Sequence, residues 1–242
     1  MEVPYDVIFV NIMKDEQKDP EYVQMNPNGR TPTLLDRTVS PAFPVFESGA
    51  IMLYVAEKFG TPLLPSDPQA KSEVVQWLMW QMSAIGPMIG NCMYMKRIAA
   101  PVQDDVTKIR FAIDRFHNES LRLLGILDRR LKDRDYLCGP GRGVLTLADI
   151  ACYTYAAQYF WAGIDIADMP GLRAWIENIS SRPSMKAATA VPGISISPGF
   201  PTFEKIRVDD GVQKTLLDSA AKADRPYFGW KDMMELWGET AE

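Results

Sequence analysis

Apolar residues along the chain follow two different periods, and the change falls near residue 65. Before it, short β-branched or apolar runs alternate with turn residues. Val7 to Ile12 (VIFVNI) reads as a strand. Thr31 to Asp36 (TPTLLD) and Phe43 to Phe46 (FPVF), parted by turn residues, read as a hairpin. Ser48 then opens a helix, SGAIMLYVAEKF, with the serine as N-cap and Gly60 just past its end. The next segment, TPLLPSDP, is proline-rich and reads as a linker.

Beyond the linker the spacing is helical. Pro68, after Ser66-Asp67, sits at a first helical position. That helix runs through Trp77, Trp80, Met88 and Met95, with a bend expected at Gly86-Pro87. A second long helix extends from about Val102 to Asp133, and CGPGRG from Cys138 to Gly143 is a loop. Thr146, with Asp149 three residues on, has the form of a capping box opening the apolar run DIACYTYAAQYF. A last helix spans roughly Pro170 to Ile179 and stops near Arg182-Pro183. From Val191 prolines return, and VQKTLLDSAAKA then looks amphipathic. The fold class is therefore α/β followed by all-α: a mixed first domain over 1–65, a helical domain over 66–190 and a C-terminal extension over 191–242.

Composition narrows the function. A chain of 242 residues with 47% hydrophobic and 24% charged residues is globular, neither disordered nor fibrous. A net charge of -5 without a Lys/Arg cluster argues against a nucleic-acid or anionic-membrane partner. No apolar run is long enough to cross a bilayer, and the N-terminus does not resemble a secretory signal. Cys92, Cys138 and Cys152 form neither a disulfide framework nor a zinc pattern. A cytoplasmic protein without a bound metal is expected. His117, the single histidine, excludes a multi-histidine metal site and reads as a packing or surface residue.

Two stretches carry candidate chemistry. In NPNGRTPTLLD, a fixed turn at Thr31-Pro32 would leave the Thr31 backbone unpaired for an extended peptide; an ordinary strand start fits as well. At Glu47-Ser48, a helix N-terminus can receive a carboxylate, Ser48 adds a hydroxyl, and Glu47 can pair an ammonium. A plain cap with a solvated flank fits the same residues. Trp80, Gln81, Met88, Asn91 and Cys92 recur at helical spacing, as core or as the border of a cleft. Cys92 itself reads as a buried thiol.

The order of these motifs, with PEYVQMNPNGRTPTLLD, FPVFESGAIMLYVAEK, QWLMWQMSAIGPMIG and LTLADIACY, resembles the cytosolic glutathione transferases over about residues 5 to 190. The nu-class and Ure2-like branches are the most similar. The resemblance implies a thioredoxin-like half, a helical half and glutathione as cofactor. It implies that Glu47 and Ser48 hold the γ-glutamyl end, that Thr31, before a cis-Pro32, pairs with the cysteinyl backbone, and that Gln17 reaches the glycyl end. Arg115 matches an arginine that reaches glutathione across a homodimer interface, and Asp149 matches the acid of the family's folding cap. The resemblance also implies that the strand–turn–helix unit preceding Tyr5 in the family is missing, and with it the residue that contacts the glutathione sulfur. No catalytic residue is therefore assigned.

The implied reaction is attack of a glutathione thiolate on an apolar electrophile. It ends in conjugation or, by reversible addition, in cis–trans isomerisation, such as a fungal-type secondary-metabolite pathway would use. A non-catalytic glutathione-binding protein and a glutathione-dependent disulfide oxidoreductase are the alternatives.

Overall fold

The computed structural model describes residues 3–189. The extension expected over 191–242, with its amphipathic stretch, lies outside them. Residues 3–11 are irregular, followed by short 3-10 turns at Ile12–Lys14 and Glu16–Lys18 and helix α1 (Pro20–Met25). Strands β1 (Thr33–Asp36) and β2 (Phe43–Phe46) form an antiparallel pair with Thr33 opposite Phe46 and Asp36 opposite Phe43. Helix α2 (Ser48–Phe59) follows. The helical half contains α3 (Pro68–Trp80), α4 (Gly86–Tyr94), α5 (Arg110–Leu131), α6 (Leu147–Ala156), α7 (Pro170–Ser180) and α8 (Pro183–Thr189).

One expectation is corrected. Val7–Ile12 forms no strand, and Val7, Ile8, Phe9 and Ile12 are largely exposed. Strand preference expresses packing on a paired, half-buried surface. Among the described residues the sheet has two strands only, and neither pairs with this segment.

The hairpin, α2 and the proline-rich linker appear where expected. So does α3, whose cap residue Asp67 accepts from the amides of Gln69 and Ala70 at 3.1 and 2.9 Å. The bend expected at Gly86-Pro87 takes a particular form. Residues Gln81–Ile85 are π-helical, and the Gly86 amide donates to the Gln81 carbonyl five residues back. Pro87 has no N–H for the carbonyl of residue 83, so the turn before it is free to widen. The same happens at Met95–Ala99, where the Ala100 amide donates to the Met95 carbonyl just before Pro101. The helix expected from Val102 begins as a 3-10 turn at Val106–Ile109 and becomes α-helical at Arg110. The helix expected to stop near Arg182-Pro183 ends at Ser180, but it is not the last, since α8 starts at Pro183.

The core lies in the helical half, around the fully buried Trp175, Phe160, Leu123, Leu124 and Leu127. Asp149, with no exposure, organises it. Its Oδ2 accepts from the Thr146 amide at 2.9 Å and the Thr146 hydroxyl at 3.0 Å. Its Oδ1 accepts from the Leu137 amide at 2.9 Å and the Trp175 indole at 3.0 Å. Burial pushes the carboxyl's pKa up, and these donors pull it back. Asp149→Asn should cost about 3 kcal/mol, because an amide cannot accept from all of these donors. Thr146→Ala should cost about 1 kcal/mol. Urea unfolding of both variants would check the order; equal losses would deny Asp149 its central place.

Candidate functional site

The site is built at the open end of the hairpin. Helix α1 ends at Asn26, a buried side chain whose Nδ2 donates to the Arg30 carbonyl at 2.6 Å and reaches the Thr33 hydroxyl at 3.2 Å. The Tyr22 hydroxyl meets the same two groups at 2.9 and 2.8 Å. The backbone is therefore gripped on both sides of Thr31-Pro32, whose peptide bond is cis. Thr31 is exposed and makes no hydrogen bond among the described residues. Sequence reasoning missed Asn26 and Tyr22; the Asn-Pro-Asn-Gly turn beside them was the available signal.

Gln17 lies next to this turn. Its Nε2 donates to Asp15 at 3.2 Å, while its Oε1 is buried without a partner among the described residues. The neighbouring Lys18 donates to the Gly29 carbonyl at 2.9 Å, tying the 3-10 turn to the approach to Thr31. Gly29 has φ 56, and a Cβ there would come within 3.1 Å of the Gln17 carbonyl, so the position requires glycine.

Because Thr33 faces Phe46, residues 31 and 48 leave the hairpin at the same end. Between strand and helix, Glu47 has φ 69 and ψ 118, a conformation a non-glycine residue holds only under constraint. Glu47, not Ser48, is the N-cap of α2, and its side chain makes no capping bond. Ser48 is already helical, so its hydroxyl is not used as a cap. The Ile51 amide is the first to bond back, to the Glu47 carbonyl at 2.9 Å. The amides of Ser48, Gly49 and Ala50 are left without a helical acceptor. With the helix dipole, that turn suits a carboxylate. The exposed Glu47 carboxylate beside it suits an ammonium, and the Thr31 backbone suits an extended peptide.

Asp36 braces the hairpin from behind. Its Oδ2 accepts from Tyr54 and Lys58 of α2, and its Oδ1 from the Thr38 amide at 2.9 Å and hydroxyl at 2.7 Å. The Lys58 ammonium first, then Tyr54 and Thr38, hold its carboxyl far below the usual range.

The helical candidates fall on different faces. Trp80 is half-buried and packs edge-on against Trp77, with ring centroids 5.2 Å apart. Met88 packs against the core, and Asn91 is exposed, donating to the Pro87 carbonyl at 2.7 Å. Gln81 and Cys92 point inward. The Gln81 Oε1 has no partner among the described residues, and the Cys92 thiol donates to the Ala162 carbonyl at 3.5 Å. Arg115 is exposed on α5, 3.7 Å from Glu119, on a helix that packs against α4 and α7 rather than the hairpin.

A basic cluster went unread in the sequence. Buried Lys96, on the second π-turn, lies 2.8 Å from His117 Nδ1 and donates to the Ala162 carbonyl at 2.9 Å. Burial, then the Lys96 charge, pushes the His117 pKa down to about 4, so its ring is neutral at neutral pH. Burial outweighs Lys96 at Cys92 and pushes that thiol up. Burial also pushes Cys138 up to about 12 and raises Cys152. All three cysteines are free and buried. Among the described residues, no helix is long and apolar enough to cross a membrane.

The chain is similar to known proteins in both halves. Residues 1–57 match the model of the glutathione S-transferase N-terminal domain, and residues 111–183 that of the C-terminal domain. The disulfide-bond oxidoreductase YfcG of Escherichia coli is 36% identical over 188 residues, covering 76% of this chain and 82% of the relative. A glutathione transferase from Burkholderia graminis, crystallised with two glutathione molecules per subunit, superposes with a TM-score of 0.72 at 32% identity, covering 80% of each chain. The glutathione transferase URE2P8 of Phanerochaete chrysosporium, crystallised with oxidised glutathione, gives 0.66 at 30% identity, covering 76% of this chain and 81% of that one.

The Asp36 brace has a pH signature. A carboxyl depressed in the fold contributes stability that is fully present above its unfolded pKa of ~3.9 and is lost as pH falls through the folded value. The gap in melting temperature between the native protein and Asp36→Asn should therefore be widest above about pH 5 and narrow in acid. A gap independent of pH would remove the charge from the explanation.

Proposed function

The chain belongs to the glutathione S-transferase family, and from that premise we propose that the open end of the hairpin binds glutathione and that the protein catalyses thiol–disulfide exchange with it. The observation that carries this reading is the set of Thr31, Glu47 and Ser48 at one end of a hairpin, with three amides in the first turn of α2 that have no acceptor among the described residues. The α-carboxylate of the γ-glutamyl end would lie on those amides and the Ser48 hydroxyl, and its ammonium against Glu47. The cysteinyl backbone would pair with Thr31, and the glycyl end would reach toward Gln17. Arg115 would act from a partner subunit in a homodimer.

The sulfur chemistry would come from glutathione itself, since Cys92, Cys138 and Cys152 are buried thiols with raised pKa values. One glutathione thiolate attacks the substrate disulfide, releasing one thiol and leaving a mixed disulfide. A second glutathione attacks that, releasing the other thiol and glutathione disulfide. The relatives named above as an oxidoreductase, or crystallised with two glutathiones or with oxidised glutathione, favour this route.

A second reading, addition of the thiolate to an apolar electrophile, is favoured by the relatives named above as glutathione transferases. It ends in conjugation or, if the thiol departs again, in isomerisation.

Calorimetry with glutathione, followed by turnover of hydroxyethyl disulfide and of a panel of enones, tests these readings. Disulfide turnover supports the first and enone consumption the second. Binding with neither would make the protein a glutathione binder without this chemistry. Ser48→Ala and Glu47→Ala should each weaken glutathione binding by about 1–3 kcal/mol, the cost of leaving a charged partner unsatisfied. Unchanged affinity in both would move the site elsewhere.

A further inference from the structure

The first turn of α2 meets the helical half at Gly49. Of Ser48, Gly49 and Ala50, only Gly49 is buried. A Cβ built on it would lie 3.2 Å from Met82 Cε and 3.3 Å from both Met82 Cγ and Sδ. The thioether chain thus lies flat against the Gly49 α-carbon. Met82 reaches this point from the π-turn Gln81–Ile85. There the widened backbone carries Gln81 into the core at 3% exposure and leaves Met82, the next residue, facing α2.

Glu47, immediately before this turn, holds a backbone conformation that persists only where its surroundings fix it. The hairpin fixes it on one side, through the β1–β2 register. Met82 packs on the other side, at Gly49, whose amide is the middle one of the three donors without an acceptor among the described residues.

We propose that Met82 is a positioning residue for glutathione: by packing on Gly49 it sets the direction of the Ser48–Ala50 amides toward the γ-glutamyl carboxylate. The proposal rests on the glutathione reading of the hairpin end. Met82 touches backbone, not ligand, so its effect is on the affinity of a site built from other residues. An unbranched thioether suits the task because it follows the surface of a glycine closely without a fixed shape of its own. It also makes a residue of the helical half a determinant of binding in the first half.

The test exchanges volume across the contact. Glutathione affinity is measured by calorimetry, and melting temperature in parallel, for the native protein, Met82→Ala, Met82→Leu, Gly49→Ala and the double variant Gly49→Ala/Met82→Ala. Met82→Ala should weaken binding roughly tenfold, because the turn loses its support, and Met82→Leu should stay within about threefold of the native value. Gly49→Ala should also weaken binding, since its methyl displaces Met82 by a few tenths of an ångström. The double variant should recover most of the affinity lost in Met82→Ala, because the new methyl occupies space the thioether vacated. A merely structural contact gives losses that follow melting temperature and no recovery in the double variant, and that result overturns the proposal. Native binding with unchanged Met82→Ala affinity overturns it as well, leaving the site intact. Absence of glutathione binding by the native protein removes the reading of the site and the proposal together.

Discussion

The Asp149 carboxylate receives the amides of Leu137 and Thr146, the Thr146 hydroxyl and the Trp175 indole, all away from solvent. A buried charge is tolerable only when its acceptor sites are filled. Here one carboxylate fills them from three directions: the start of α6, the loop before it and α7. The start of α6 is thereby fixed, and α6 packs against α3, the first π-turn and α2. The Leu147 amide, one residue past the cap, donates to the Leu63 carbonyl of the linker at 3.0 Å. The same helix start that closes the core therefore also anchors the segment joining the two halves.

From that anchor the first half is carried by few contacts. The hairpin is short, and its apolar residues Leu35, Phe43 and Phe46 are substantially exposed. Its order comes from polar ties: Asn26 and Tyr22 across the Thr31 turn, Lys18 to Gly29, and Asp36 to α2. Such ties are directional, so they set backbone angles where an apolar cluster of this size could not. The glutathione site proposed here, made largely of main-chain amides, needs that kind of control.

Much of this was legible along the chain wherever a local signal and the tertiary environment agree. Thr146 with Asp149, Asp67 before Pro68, and the hairpin runs each carry their own cause, and each appears as written. Glu47 and Ser48 were legible as a helix start but not in their places within it. Sequence marks Ser as a cap, whereas the φ of 69 at Glu47 belongs to a turn that only the packed molecule enforces. Val7–Ile12 failed because strand preference needs a partner strand, which composition does not supply. Lys96 and His117 escaped notice because they are 21 residues apart, and a buried lysine satisfied by a neutral imidazole and a carbonyl leaves no periodic trace. The proline at 87 announced a bend, but whether a kink or a widened turn follows depends on what presses on both sides.

The two widened turns carry a consequence for insertions and deletions. In a regular α-helix successive residues are ~100° apart around the axis, so removing one residue rotates everything beyond it by that amount relative to what came before. Each π-turn holds one residue more than an α-turn would while still completing one turn, so the helix before the first of them, with Val74 and Leu78 buried, and the helix after it, with Ile89 and Cys92 buried, keep their facing across the surplus. A single codon lost between residues 81 and 85 would therefore close the wide turn to an α-turn and leave Ile89 and Cys92 aimed at much the same neighbours. A codon lost from the regular turns on either side has no such surplus to draw on and would swing the buried stripe away from those neighbours.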